Sequence, residues 1–216
     1  MTIPKVIGLT GVISSGKDTV ATMLMEEHNY KQASFAEPVK DVLAAIFGWD
    51  RDLLEGKTNE SRQWRTEVDE YWSDVLGYDF TPRLAMQQIG TDIFRDHFHQ
   101  NIWVKSIQKR VQTTYPNDLI IFSDCRFQNE IDMVRDMGGC IIEVQPSILP
   151  EWYNEAAYMN QHPGLVYSGH HQKFRNKYKD VHESEFSWVG VNNPDATIIN
   201  NGTLDDLQNK VQGLFQ

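Results

Sequence analysis

Residues 6–25 read VIGLTGVISSGKDTVATMLM, and this stretch sets the expected fold. The apolar run from Val6 to Thr10 indicates a buried strand, and a glycine-bearing loop follows it. Beyond the loop, Val20, Leu24 and Met25 recur at helical spacing. The stretch therefore predicts a strand, a loop and a helix in direct succession.

The loop has the spacing of a phosphate-binding loop. Gly11, Gly16 and Lys17 occupy the positions that this motif requires, directly between a strand and a helix. Glycine lets successive backbone N–H groups point at phosphate oxygens, and the helix dipole adds to the attraction. Lys17 would reach the β and γ phosphates of a nucleotide. The alternative is an ordinary strand-to-helix turn with an exposed lysine.

Asp18 departs from the motif, which has Ser or Thr after the lysine. The change removes a hydroxyl that contacts Mg²⁺ and places a carboxylate near a polyanion, while Thr19 comes one residue late. A carboxylate at a helix amino terminus is stabilised by the dipole, and it could hold metal-bound water. Asp18 is thus interpreted either as a metal-site residue or as a helix-start carboxylate without further function.

Apolar runs and helical patterns alternate along the rest of the chain. Further candidate strands are residues 32–36, 119–122, 140–144 and 196–200, and candidate helices are residues 39–48, 81–98, 101–112, 126–139 and 203–215. The alternation predicts an α/β fold with a mainly parallel five-stranded sheet in three α/β/α layers. We expect a single domain over residues 1–216. It would contain an acidic, Trp- and Tyr-rich insertion at 49–81 and a lid region at 146–185. The sequence of the insertion is equally consistent with a solvated surface segment that packs against no core.

Ligands of such sheets bind beyond the carboxyl ends of the strands, so polar residues at those positions are site candidates. Asp124 ends the run LIIFSD, and Arg126, Asn129 and Glu130 open the helix that follows. A carboxylate there suits an Mg²⁺ hydration shell, and an arginine suits a phosphate. The alternative is an ordinary helix start with a structural ion pair.

The segment PRLAMQQIGTDIFR offers a second set of polar candidates. Arg83, Gln87 and Arg95 are spaced by four and eight residues, so a helix would bring the first two near one face. An arginine fork recognises phosphate, and a glutamine amide can recognise a base edge. The alternative is that these are ordinary polar side chains on the solvent-exposed face of a helix.

The His-rich segment at 169–185 has no metal-ligand spacing, since His170 and His171 are adjacent. Its basic residues are interpreted as part of a lid that folds over phosphates, or as a soluble loop. They are Lys173, Arg175, Lys177 and Lys179.

Composition narrows the possible partners. The 216 residues carry a formal net charge of −10, which argues against broad binding to nucleic acid or to an anionic membrane. Cys125 and Cys140 lack the number and spacing of a disulfide framework or zinc site. No apolar run approaches the roughly 20 residues that span a bilayer, and no signal region is seen. We expect a cytoplasmic protein with a small-molecule partner.

Together these segments resemble the phage deoxynucleoside monophosphate kinases, a branch of the P-loop nucleoside monophosphate kinases. The similarity lies, in order, in GVISSGKDT, FAEPVKD, RLAMQQIGTD followed by WVK, DCRFQNEIDMVRDMGG, HESE and INNGTLDDL. Gly-Lys-Asp-Thr is usual in that family, so Asp18 becomes a variant rather than a defect. The resemblance implies that ATP, with Mg²⁺, donates its γ-phosphoryl group to a deoxynucleoside monophosphate (dNMP), which gives a diphosphate and ADP. If a phage encodes the chain, the reaction takes place in the host cytoplasm. A homodimer is left open.

The resemblance also implies roles for individual residues. Those expected to act in catalysis are Lys17, Asp124 and Arg126. Those expected to bind ATP are Gly11, Ser14, Ser15, Gly16, Lys17, Asp18, Thr19, Asn200 and Gly202. Those expected to bind the acceptor are Phe35, Lys40, Arg83, Gln87, Thr91, Arg95, Arg126 and Glu130. Lid residues would be Arg175, Lys177, His182 and Glu185, and metal residues Asp18 and Asp124.

Three other functions compete with this one. The nearest is a kinase of the same architecture for another small acceptor, such as dephospho-coenzyme A or phosphomevalonate. A nucleotide-dependent switch would need a guanine-reading Asn-Lys-x-Asp motif, and NKYKD has one residue too many. A noncatalytic nucleotide-binding protein is disfavoured because Lys17, Arg83, Asp124 and Arg126 are all present.

Overall fold

The computed structural model describes residues 3–164 and 169–215. The chain divides into two compact units, unit 1 with Met1–Ser34 and Tyr115–Gln216, and unit 2 with Phe35–Thr114. Residues 165–168 of the predicted lid lie outside the described part. Within that part, no helix is both long and apolar enough to cross a membrane.

Strands and helices are numbered along the chain. The strands are β1 (Val6–Thr10), β2 (Lys31–Ala33), β3 (Ile120–Phe122), β4 (Cys140–Pro146) and β5 (Ala196–Asn200). The helices are α1 (Lys17–His28), α2 (Glu37–Phe47), α3 (Arg51–Glu55), α4 (Asn59–Trp64), α5 (Glu70–Leu76), α6 (Pro82–Gln87), α7 (Ile102–Thr114), α8 (Gln128–Asp136), α9 (Tyr153–Gln161), α10 (His170–Lys177), α11 (Glu183–Phe186) and α12 (Leu204–Gln212). A π-helical segment, Gln88–Phe98, follows α6, and a 3₁₀ turn, Gly213–Phe215, follows α12.

Unit 1 is built on a five-stranded sheet in the order β2-β3-β1-β4-β5. All four strand pairings are parallel, and Ile7 of the central strand pairs with Ile121 on one side and Cys140 on the other. The predicted parallel five-stranded sheet is thus confirmed. Strand β2 is shorter than expected because the chain turns at Phe35 and Ala36.

Helices cover both faces of this sheet. Ile7 and Leu9 of β1 share a core with side chains of α1 and α12. Gly8 faces the other way, where an added Cβ would lie 3.1 Å from the Val134 Cγ2 of α8. Because side chains alternate along a strand, α1 and α8 lie on opposite faces. The predicted three-layer arrangement is therefore confirmed.

Residues 146–164 and 169–185 are more regular than their polar sequence suggests, since they form α9, α10 and α11. Buried Phe174 of α10 packs against buried Phe186 of α11, with ring centroids 4.9 Å apart. Helices α10 and α11 each bury a single side chain, Phe174 and Phe186. Such helices show no repeating apolar stripe, which is the signal that sequence reasoning uses.

Unit 2 has its own core, and residues 49–81 supply much of it. Trp49, Leu54 and Phe80 are buried together with side chains of α2, α6 and α7. The indole nitrogen of Trp49 also donates to Asp69 Oδ2 at 2.7 Å. Residues 49–81 are therefore not a solvated surface segment. The apolar residues among them are spread over three short helices and the flanking segments that contain Trp49 and Phe80, so they follow no single period.

Residues 81–98 begin as the predicted helix and then change type. The Thr81 hydroxyl caps α6 by accepting the Leu84 N–H at 3.1 Å. Beyond Gln87 the chain is π-helical for 11 residues, ending where the His99 N–H donates to Phe94 O at 2.8 Å. Extended π-helix is rare and concentrates at functional sites. The regular α-helix predicted over residues 81–98 is therefore wrong beyond Gln87.

Replacing Leu54 by alanine tests whether residues 49–81 belong to the core of unit 2. Leu54 is 0% exposed, so Leu54→Ala should lower the free energy of unfolding by about 2–5 kcal/mol. The matched control is Leu76→Ala, at a residue that is 41% exposed, which should cost less than about 1 kcal/mol. Urea denaturation followed by tryptophan fluorescence measures both. An equal loss of unfolding free energy in the two variants would contradict the assignment of residues 49–81 to the core of unit 2.

Candidate active site

The loop after β1 can form only with glycine at two positions. Gly11 has φ 150° and Gly16 has φ 103°. A Cβ on Gly11 would lie 2.3 Å from Val144 O, and one on Gly16 would lie 2.5 Å from Asn200 Nδ2. Both the backbone angles and the close approach to neighbouring atoms thus exclude a side chain. The glycine spacing of the motif has a direct structural cause here.

Strand β5 and the loop itself hold the loop in place. Asn200 Nδ2 donates to Ser15 O at 3.0 Å, and the Ser15 N–H donates to Val12 O at 3.2 Å. Ser15 is buried, and its Oγ has no hydrogen-bond partner among the described residues. A buried hydroxyl of this kind normally finds a partner. The loop is therefore ordered while one of its polar groups remains available.

Lys17 begins α1 and folds back over the loop. Its Nζ donates to Gly11 O at 2.7 Å and to Val12 O at 2.8 Å. These two carbonyls hold the ammonium group at the loop. Ligand binding would exchange them for stronger, charged acceptors.

Charged groups converge on Lys17 within unit 1. The pKa of Lys17 is lowered to about 8, chiefly by burial and next by the positive charge of Arg126. The carboxylates of Glu185, Asp18 and Asp124 act in the opposite direction. The predicted catalytic residues Lys17, Asp124 and Arg126 are thus close enough to influence one another electrostatically.

Asp124 follows β3 and is bonded to a residue that follows β2. The Ser34 hydroxyl donates to Asp124 Oδ2 at 2.6 Å. Nearby, Gln32 Nε2 of β2 donates to the Oγ of Ser123, the residue before Asp124, at 2.9 Å. Sequence reasoning missed Ser34 as a site residue. Ser34 directly follows the observed strand β2, whereas the predicted strand, residues 32–36, places it in the middle, so the strand-end rule did not single it out.

Arg126 is held by the HESE segment, which the resemblance places in the lid without a further defined role. Its Nη1 donates to Glu185 Oε1 at 2.5 Å and to Ser184 Oγ at 3.3 Å. His182 caps α11, with its Nδ1 2.9 Å from Ser184 Oγ. The Ser187 hydroxyl donates to the Arg126 carbonyl at 2.9 Å. The HESE segment therefore orients the Arg126 side chain, and Ser187, which follows it, holds the Arg126 backbone.

Glu130 has a structural role at the start of a helix, which the sequence left open as the alternative to a role in binding. Its Oε2 accepts the backbone N–H groups of Arg126 at 2.7 Å and Phe127 at 3.2 Å. The residue is buried at the start of α8. Its contact with the acceptor stays a prediction, and the observed contacts explain why a carboxylate stands there.

A buried polar network adjoins the phosphate loop and was not foreseen. Asn192 Nδ2 donates to Thr10 Oγ1 at 3.0 Å and to Glu143 Oε2 at 3.1 Å. The Tyr153 hydroxyl donates to Glu143 Oε1 at 2.5 Å. Burial, reinforced by this carboxylate, raises the pKa of Tyr153 above its ordinary range. The network anchors α9, at the start of the predicted lid, to the end of β1.

The turn after β5 lies beside an open hollow of about 450 Å³. A Cβ on Gly202 would lie 2.5 Å from Asp206 Oδ2, the carboxylate that caps α12 through the Thr203 N–H. The hollow is lined by Asn201, Gly202, Asp206, Asn209 and Lys210. Binding of the ATP base beside Asn200 and Gly202 stays a prediction.

Two predicted lid cations already have carboxylate partners. Arg175 pairs with Glu183 at 2.9 Å, and Lys177 pairs with Glu155 at 2.8 Å. All four side chains are exposed. To contact a phosphate, either cation would exchange its present partner.

The remaining predicted acceptor residues lie in unit 2. Lys40 is buried and its Nζ is 2.8 Å from Glu55 Oε2, and Phe35 is also buried. Arg83 and Gln87 share α6 four residues apart, as predicted. Thr91 and Arg95 lie in the π-helical segment. Their contact with an acceptor stays a prediction.

The predicted metal residues supply oxygen ligands. Among the residues that the structure describes, no group of three or more His, Cys, Asp or Glu side chains is arranged so that it could hold a metal ion. Mg²⁺ needs no such cluster, because it binds through one or two carboxylates together with substrate phosphates. Asp124 with its bonded Ser34 hydroxyl, and Asp18 near Lys17, fit that chemistry.

Comparison with known proteins bears on this site. A family model described as deoxynucleotide monophosphate kinase matches residues 55–151. The deoxynucleoside-5′-monophosphate kinase of Escherichia phage T5 is 26% identical over 65% of this chain and 78% of its own. The deoxynucleotide monophosphate kinase of Enterobacteria phage T4 is 23% identical over 98% of this chain and 99% of its own. The resemblance to these kinases is confirmed. A protein of Acanthamoeba polyphaga mimivirus, named provisionally as such a kinase, is 26% identical over 95% of this chain and 93% of its own.

The low pKa of Lys17 gives ATP binding a pH dependence. Below about pH 8 the ammonium is charged and attracts phosphate, whereas above that pH the ligand-free protein holds a neutral amine. Calorimetry should therefore show ATP affinity falling between about pH 7 and about pH 9.5. Lys17→Arg stays charged over this range and should flatten the dependence. If ATP affinity changed equally with pH in the wild type and in Lys17→Arg, the assignment of the pH dependence to Lys17 would be contradicted.

Proposed function

We propose that the protein is an ATP-dependent kinase that phosphorylates dNMPs, giving the diphosphate and ADP. The observation that carries the proposal is the convergence of Lys17, Asp124 and Arg126 at the glycine loop. The named viral kinases support the same activity. The net charge of −10 supports a free nucleotide rather than a nucleic acid as substrate, and we place the reaction in the host cytoplasm.

The loop after β1 would bind the donor. Positive φ at Gly11, Ser14 and Gly16 curves the backbone, so that N–H groups can converge on phosphate oxygens. Lys17 would then neutralise charge on the β and γ phosphates of ATP. Because these groups are fixed before ATP arrives, little reorganisation is needed at the moment of transfer.

The acceptor needs positioning rather than activation. Its 5′-phosphate is largely dianionic at neutral pH, so an oxygen can attack without a general base. That oxygen bonds to the γ phosphorus while the bond from the γ phosphorus to the bridging oxygen of ADP breaks. Arg126, oriented by Glu185, would neutralise the transferring phosphoryl group. The unit 2 residues Arg83, Gln87, Thr91 and Arg95 would bind the acceptor.

Mg²⁺ would be held through Asp124 and through water bound by Asp18, and it would neutralise charge between the phosphates. The Ser34 hydroxyl donates to Asp124 Oδ2 and so fixes that carboxylate. Residues 146–185 would close over the phosphates and exclude water, which would otherwise compete with the acceptor.

An acceptor panel tests the activity. ADP release should depend on at least one of the four dNMPs, and dephospho-coenzyme A and phosphomevalonate should give none. Lys17→Ala should lower the rate by about 10²-fold or more, because a charge-stabilising donor is lost. The control is Lys109→Ala, which removes an exposed lysine from α7. Turnover with the other acceptors alone would replace this proposal with the alternative kinase.

Magnesium titration separates the two aspartates. Asp124→Asn should raise the Mg²⁺ concentration needed for half-maximal rate by about tenfold, because a direct carboxylate ligand is lost. Asp18→Ser should shift it less, because Asp18 would act through metal-bound water. An unchanged Mg²⁺ dependence in Asp18→Ser would leave Asp18 with only its helix-start role.

A further inference from the structure

Three arginines of unit 2 gather around Gly56. The Arg83 N–H donates to Arg65 O at 2.8 Å, which joins the end of α4 to the start of α6. Arg62 Nε donates to Gly56 O at 3.0 Å. The guanidinium of Arg65 lies over Gly56, since a Cβ built there would be 2.2 Å from Arg65 Cζ. The fold thus brings together residues that are far apart in the sequence.

The positive charges of this cluster act on one another. Burial, and then the charges of Arg83 and Arg62, lower the pKa of Arg65 below its ordinary value, and Glu55 opposes them. Glu55 is already bonded to Lys40 at 2.8 Å and to Arg51. The carboxylate that offsets Arg65 is therefore shared with two other cations.

Within residues 3–164 and 169–215 the guanidinium of Arg65 makes no hydrogen bond or ion pair, although it is half-buried. A cation in such a position is normally paired. Carboxylates are plentiful nearby in the sequence, because residues 49–81 contain nine acidic and four basic side chains. An unpaired arginine within so acidic a segment indicates that its anion comes from a ligand.

Gly56 fixes where this guanidinium lies. It has φ 65°, and the missing side chain makes room for the flat face of Arg65. The edge of a guanidinium carries N–H donors in a fork that matches two phosphate oxygens. Arg83, next to Arg65 through the backbone bond, was already predicted to bind the acceptor.

We propose that Arg65 and Arg83 form an anion site that binds the 5′-phosphate of the acceptor monophosphate. The site rests on the proposed function and adds to it a residue, Arg65, that no sequence motif identified. Arg62 stabilises the loop at Gly56 and contributes positive charge. The alternative source of the same chemistry is a phosphate of ATP, and the experiment distinguishes the two.

The test compares Arg65→Gln with Lys57→Gln, which removes the same charge from an exposed residue of the same segment. Calorimetry gives the Kd of each dNMP, and steady-state kinetics give KM for acceptor and for ATP. Arg65→Gln should raise the acceptor Kd and KM about 10- to 100-fold and leave the ATP KM within about twofold. Arg65→Lys should recover part of the loss, because it keeps the charge and loses the fork. Lys57→Gln should resemble the wild type.

The outcomes separate this site from the kinase activity. If the wild type phosphorylates a dNMP and Arg65→Gln keeps the wild-type acceptor KM, the anion site is overturned and the kinase stands. If the wild type binds a monophosphate, Arg65→Gln weakens it, and no transfer occurs, the kinase proposal fails and the site stands. A raised ATP KM alone, or no monophosphate binding by the wild type, also overturns the site.

Thermal denaturation tells a binding role from a structural one. Because burial, and then like charges, disfavour the charged Arg65 in the folded state, Arg65→Gln should not lower the Tm. A lower Tm with an unchanged acceptor Kd, in both Arg65→Gln and Arg65→Lys, would assign Arg65 to the packing around Gly56 and overturn the proposal.

Discussion

The close packing of the loop against β4 and Asn200 is the constraint on which unit 1 depends. Gly11 meets the Val144 carbonyl, and Gly16 meets the Asn200 amide, without room for a Cβ at either place. The loop conformation therefore follows from the sheet, because β4 and β5 supply the surfaces that it contacts. Lys17 starts α1 at the end of this loop, so its position is set by the same contacts.

Each unit holds a cation that the protein neutralises incompletely. Burial and a neighbouring arginine lower the pKa of Lys17 in unit 1, and burial with two arginines lowers the pKa of Arg65 in unit 2. The charged forms of both residues therefore oppose folding in the absence of a ligand. Such features concentrate at functional sites, where a bound anion relieves the repulsion. Lys40, paired with Glu55, illustrates the opposite case of a buried cation whose charge is already balanced.

The sequence predicts the parallel sheet because short apolar runs, such as residues 6–10 and 119–122, alternate along the chain with helical patterns. It fails where a short helix buries one or two side chains, as with Phe174 in α10 and Leu54 in α3. Site residues after strands, such as Asp124, follow from the strand-end rule. Arg65 does not, because its neighbours Arg83 and Gly56 become adjacent only through tertiary contacts.

The contact between Arg126 and the HESE segment links phosphate binding to the lid region. Within the described residues, the side chain of Arg126 uses only Nη1, toward Glu185 and Ser184. A guanidinium has five N–H donors, so the Nε and Nη2 edge can bind a phosphate while Glu185 remains bonded. Glu185 then acts as an orienting group rather than a competitor. Because Glu185 belongs to α11, any movement of that helix turns the phosphate-binding edge of Arg126 with it.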